Sequence, residues 1–142
     1  MTNKLYLRIM GDCFSPNVFR EIAALTNFAS ADINNVNFDS DNKTLSIPIE
    51  RHHIESYRRF LGPKYDHKKR IPSLIKLGAV RRYEIEDHCR ENDLTKIQLL
   101  FGLSVKIDEK EIYLGSVEED QGWTCFSITA IVEQFDIEIS DI

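Results

Sequence analysis

Apolar and polar residues alternate most regularly in the last third of the chain. Ile97, Leu99, Phe101, Leu103, Val105 and Ile107 keep a period of two without a break. Successive strand side chains point to opposite faces, so this pattern predicts a strand with one buried face. Asp108-Glu109-Lys110 predicts a turn. Ile112 and Leu114 continue on one face of the next strand, with Tyr113 and Val117 on the other. Glu118 to Gly122 predicts another turn. Phe126, Ile128, Ala130 and Val132 mark a third strand, and Phe135, Ile137 and Ile139 a fourth. Short polar turns between such strands imply antiparallel neighbours, because parallel pairs need long crossovers. A C-terminal β-meander is the expectation, with its polar alternates facing water.

The first half is less regular. Leu5, Leu7 and Ile9 alternate with Tyr6, Arg8 and Met10, which predicts a strand that ends at Gly11-Asp12. Ser15-Pro16 suits a helix start: serine can accept a bond from an unpaired N–H, and proline fits the first helical position. Val18, Ile22 and Leu25 follow at helical spacing, so a helix from about Pro16 to Phe28 should pack on the sheet. Residues 30–42 are rich in Asn, Asp and Ser and read mostly as loop, with a short strand around Val36 and Phe38. Asp39-Ser40-Asp41-Asn42 looks like a hairpin turn. Leu45, Ile47 and Ile49 predict the next strand, which Pro48 assigns to a sheet edge because proline cannot donate to a ladder. Residues 51–78 read as a basic, partly helical excursion from the sheet. Ile54, Tyr57 and Leu61 share a helical face, but Gly62-Pro63 stops the pattern early. Val80, Tyr83 and Ile85 give an imperfect strand, and Asp93 a weak helical cap.

These elements predict a single α+β domain over residues 1–142, built mainly on an antiparallel β-sheet. Composition agrees. Of 142 residues, 42% are hydrophobic and 29% charged, a globular balance in a chain long enough for an ordinary core. Cys13, Cys89 and Cys125 are odd in number and show no paired spacing, which favours reduced thiols. Arg8 interrupts the N-terminal apolar run, so no signal peptide is expected. No apolar run approaches the ~20 residues that cross a bilayer. The expectation is a cytoplasmic protein with no membrane partner.

Charge changes the picture more than composition does. The net charge of −5 conceals a segregation. Residues 51–82 carry ten bases against two acids, a formal +8, whereas residues 83–142 carry fifteen acids against four bases, a formal −11. A basic stretch beside an acidic one can screen it internally, meet another protein or a second copy, or hold phosphate. His67-Lys68-Lys69-Arg70 is a compact cluster, and Tyr57, Phe60 and Tyr65 could offer stacking faces near it. The overall pI of about 5.4 is far below the basic balance usual for nucleic-acid binders.

Candidate chemistry is sparse. His52-His53-Ile54-Glu55 lacks convergence, since adjacent strand residues point apart, and no metal site is predicted. Asp87-His88-Cys89 holds the ingredients of an activated thiol, but His88 would point away from Cys89 in an extended segment. Gly11 to Pro16 has the strand-to-helix setting of an anion site with only one glycine, so helix capping explains it. Trp123, after Gly122, reads as a packing residue at a hairpin. The acidic turns at residues 108–109 and 118–120 lack the ligand spacing of a calcium loop.

The sequence therefore implies no cofactor and no catalytic residue. The leading expectation is a non-catalytic protein-binding module, immunity- or inhibitor-like in size and charge, whose partner is another protein or a second copy of itself. One alternative is an enzyme or small-ligand binder with an anion site lined by Arg58, Arg59, Arg81 and Arg82. Another is a nucleic-acid-binding domain using the basic 51–82 segment. Across these readings the candidate binding residues are Arg58, Arg59, Lys68, Lys69, Arg70, Arg81 and Arg82.

Overall fold

The computed structural model describes residues 6–11, 16–27, 29–32, 35–52, 70–87, 97–99, 103–115 and 126–142. In chain order these form β1 (Tyr6–Met10), α1 (Pro16–Thr26), β2 (Ser30–Asp32), β3 (Asn37–Asp39), β4 (Thr44–His52), β5 (Arg70–Leu77), β6 (Val80–Asp87), β7 (Ile97–Leu99), β8 (Ser104–Lys106), β9 (Glu111–Gly115), β10 (Phe126–Val132) and β11 (Asp136–Asp141). Strands and one helix give the expected α+β fold. The strands form two antiparallel sheets. The first runs β1-β11-β5-β4-β2-β7, with β3 also on β4; the second runs β6-β10-β9-β8. Among the described residues no helix is long and apolar enough to cross a membrane.

Period-two alternation places one apolar face of each sheet in a common core. Across the first sheet, Ile9, Ile137, Leu77 and Leu45 lie in one row, and Leu7, Ile139, Ile75 and Ile47 in the next. Across the second, Ile128 sits beside Leu114, and Ala130 beside Ile112. These residues join Ile22 and Leu25 of α1 in a single buried cluster, against which Leu7 packs partly buried. Burying each large aliphatic side chain contributes roughly 1.5–3 kcal/mol before chain entropy is counted. Thr26, fully buried at the end of α1, accepts the Leu103 N–H at 2.9 Å, and its hydroxyl lies 3.0 Å from the Ile22 carbonyl it can donate to. The helix end is thereby fixed to the start of β8.

Two neighbouring strands carry the chain from one sheet into the other. β5 and β11 pair as far as Leu77 and Ile137, and β6 and β10 pair from Val80 and Val132. Between them the ladder bends but is not lost. The Gly78 N–H donates to the Asp136 carbonyl at 2.8 Å, and the Glu133 N–H to that of Ala79 at 2.9 Å. Strands that change sheets through such bends make the corners of packed β-sheets. Three non-glycine residues here have left-handed backbones: Lys43, Ala79 and Lys110, with φ of 52°, 53° and 50°. Their carbonyls accept the N–H groups of Val80, Glu133 and Val132 respectively. Strained conformations of this kind persist where the surroundings over-determine them. Lys110 adds a bond from its Nζ to the Glu133 carbonyl at 2.9 Å.

Several expectations need correction. β4 is an interior strand, not the edge that Pro48 implied. β2 pairs with it at Ile49 and Glu50, and β3 at Thr44 to Ser46, so Pro48 lies opposite the break between them. The proline rule holds locally, because that stretch of the ladder is interrupted. β2 lies where only loop was expected. The unbroken alternation from Ile97 to Ile107 is two strands, β7 in the first sheet and β8 in the second. The meander is confined to β8, β9 and β10, because β11 leaves at the corner to pair with β5 and β1. Both ends of the excursion read at residues 51–78 are strand instead: Arg51 and His52 end β4, and residues 70–77 form β5 between β4 and β11. Residues 53–69 and the cap at Asp93 lie outside the described residues.

Gly78 is required by close approach. A Cβ there would stand 2.5 Å from Oδ2 of Asp136, whose carboxylate takes two bonds from Arg8 at 3.0 and 3.2 Å. Gly78→Ala should destabilise the fold by about 1–2 kcal/mol. Asp136→Ala should remove most of that cost, so urea unfolding of the two single variants and the double variant will be non-additive. At the β3–β4 hairpin, the Asn42 side chain and the Asn42 and Asp41 N–H groups bind Asp39 and hold its carboxyl below the ordinary value. Its folded pKa is depressed, so its stabilisation is present above the unfolded value, near pH 4, and disappears as pH falls through the lower folded value. Asp39→Asn should flatten that acid limb of the stability curve, read by urea unfolding across pH.

Candidate docking surface

The cations read as one basic segment do not act together. Arg51 is buried, with 2% of its side chain exposed, in the core-facing row of β4. Its Nε and Nη2 donate to Oδ1 and Oδ2 of Asp141, each at 2.8 Å. The Ser73 hydroxyl donates to the same Oδ1 at 2.9 Å. Ile49, Ser73 and Asp141 are aligned across β4, β5 and β11, so the ion pair reaches diagonally over three strands. Slipping β11 by one residue would turn Asp141 to the opposite face and leave Arg51 buried without it. Arg51, one of the ten bases of the 51–82 segment, is thus held in the core; its alternation with Ile47 and Ile49 is the sign in the sequence that it faces inward.

Arg58, Arg59, Lys68 and Lys69 lie outside the described residues, as do His53, Tyr57, Phe60, Tyr65, His67, His88, Cys13, Cys89, Cys125 and Trp123. Arg70 begins β5, half-buried, about 23 Å along that strand from the corner at Leu77. Arg81 and Arg82 are exposed on β6, just past the corner. Of the candidate binding residues, the structure thus brings together Arg81 and Arg82, and sets Arg70 apart from them. Arg81 is the extra residue of a bulge, since Val80 and Arg82 face consecutive residues of β10.

Arg82 belongs to the outer face of the second sheet. The pairings lay Arg82, Ile131, Glu111 and Lys106 in one row, and Glu84, Thr129, Tyr113 and Ser104 in the next. Lys106 Nζ lies 3.4 Å from Glu111 Oε2. The Tyr113 ring lies over Gly115, where a Cβ would meet the phenol oxygen at 2.5 Å. Arg82, Tyr83, Glu84, Glu111, Thr129 and Ile131 line a shallow, open depression of about 470 Å³. One arginine faces two glutamates in it, so the surface is of mixed charge and not an anion cradle. Among the described residues no cluster of three or more His, Cys, Asp or Glu side chains could hold a metal ion.

β6 is also an edge. Among the described residues it pairs with β10 alone, and Arg81 to Glu86 are all exposed. Tyr83 and Ile85 stand on the core side of the strand, 41% and 39% exposed at its rim. Phe38 of β3 holds the Tyr83 ring at a centroid distance of 4.7 Å and joins the sheets at this edge.

No protein-family model, curated protein or solved structure matches this chain.

The buried pair gives a clear stability test. Asp141→Ala removes the bidentate carboxylate from a buried guanidinium and should cost about 3–5 kcal/mol. Arg51→Met combined with Asp141→Leu should recover most of that loss, because the apolar pair pays no desolvation penalty. Urea unfolding of the two proteins measures the difference.

Proposed function

We propose that the chain is a non-catalytic protein-binding module that docks a partner protein on the outer face of its second sheet. The supporting observation is that face itself: an open, mixed-charge lattice of Arg82, Glu84, Lys106 and Glu111 around Ile131, Thr129 and Tyr113. An aromatic ring and an aliphatic side chain ringed by both signs of charge suit protein contact, in which apolar anchors supply affinity and rim charges supply orientation. A phosphate track would need cations in series. Here Glu84 and Glu111 interrupt them.

Capture from native cells with cross-linking tests the proposal. The wild-type chain should retain a protein partner, with retention weakened by added salt. Glu111→Lys combined with Tyr113→Ala should lower that affinity at least about tenfold. Undiminished capture by the double variant, or salt-sensitive binding of purified protein to RNA or DNA in place of a protein, would reject it.

A further inference from the structure

We infer that β6 is a self-association edge, and that two copies of this chain join antiparallel along it to form one eight-stranded sheet. An exposed strand edge offers unpaired N–H and C=O groups, and another strand satisfies them best. The regular part of β6, Arg82 to Asp87, is the longest edge described, six residues against five in β1 and three each in β3, β7 and β8.

Charge names the occupant. β6 reads Val80-Arg81-Arg82-Tyr83-Glu84-Ile85-Glu86-Asp87, basic at its start and acidic at its end. A strand with that polarity complements itself when reversed. By contrast, β1 reversed on its centre would set Arg8 against Arg8.

The register follows from two constraints. Side chains on one face of a sheet must stay on that face across the new pair. The Val80 N–H already donates to Lys43, and Arg81 sits in the bulge, so the regular stretch begins at Arg82. Pairing about a two-fold axis through Glu84 satisfies both. Arg82 of each copy then faces Glu86 of the other on the outer face. Tyr83 of each faces Ile85 of the other on the core-side rim, which covers the two large apolar side chains that β6 exposes. Opposite charges and aromatic–aliphatic pairs are the favourable cross-strand combinations. The one unfavourable pair is Glu84 against its symmetry mate. The interface is isologous, so the Arg82–Glu86 and Tyr83–Ile85 pairings each occur twice and the Glu84 pair, on the axis, once. Five residues per strand bury little area, which makes the dimer weak and reversible.

The inference goes beyond the docking face and stands or falls separately, because its test uses the purified full chain alone. Sedimentation velocity from about 1 µM to about 1 mM should show mass rising from monomer to dimer. Arg82→Glu should raise the dissociation constant at least about tenfold, and Glu86→Arg likewise. The double swap, Arg82→Glu with Glu86→Arg, should restore it to within about threefold of wild type. Glu84→Gln removes the like-charge pair and should tighten the dimer; this exposed, isosteric change decides the matter if either reversal disturbs folding. A monomer over the whole range, a dimer indifferent to Arg82→Glu, a swap that fails to rescue, or a dimer unaltered or weakened by Glu84→Gln would each overturn the inference.

Discussion

The bend at Gly78-Ala79, beside the one at residues 133–135, is the constraint on which the rest of the molecule depends. Two adjacent strands pass through it together, so neither sheet can be placed without the other. Backbone groups stay paired across it. Gly78 bonds Asp136, Ala79 accepts from Glu133, and the carbonyls of Lys43 and Lys110 receive the first and last N–H of the strands that leave. A buried backbone group without a partner costs free energy comparable to a lost hydrogen bond, so this continuity is what lets the corner exist inside a core. The left-handed backbones of Lys43, Ala79 and Lys110 are the conformational cost, and they occur together where the bonds are densest.

The corner also decides what is exposed. In the first sheet β5 is flanked on both sides, by β4 and β11. β4 begins at the corner, because the chain before it turns back as β3. Past the bend, β6 therefore keeps a strand partner on one side in β10, and among the described residues no strand pairs with it on the other. The exposed edge from Arg81 to Glu86 follows from the start position of a strand in the opposite sheet. Its charges and its two apolar side chains then give that edge a chemistry of its own.

The buried pair of Arg51 and Asp141 works at the far end of the first sheet. Two charges in a low-dielectric interior are expensive to bring there, and their mutual attraction returns that cost only with good geometry. The bidentate arrangement, with Ser73 as a third partner, meets the condition. Its consequence is specificity of register: β4, β5 and β11 can align in one way that keeps both charges satisfied. The same pair takes one cation out of the segment that looked like a basic surface.

Much of the fold was legible in the residues alone. Helix α1, the strands with clean alternation at Ile9, Ile47, Ile112, Ile128 and Ile137, and the hairpin turn at Asp39 to Asn42 follow from local chemistry: side-chain periodicity, capping and turn preference act over a few residues. Which strands become neighbours is decided by long-range burial, to which a local pattern is blind. Period two reads the same whether a run stays in one sheet or, like Ile97 to Ile107, is divided between two. Alternation likewise marked β10 and β11 as strands but gave no sign that three residues between them change sheets. Pro48 predicted a sheet edge, whereas the tertiary pairing puts β4 inside a sheet with Pro48 opposite the break between β2 and β3. The sequence supplied the sign and order of the charges. The three-dimensional arrangement decided that Arg51 is paired in the core, that Arg70 stands far from Arg82, and that Arg82 shares its surface with Glu84 and Glu111, because electrostatic partnership depends on distance in space and not along the chain.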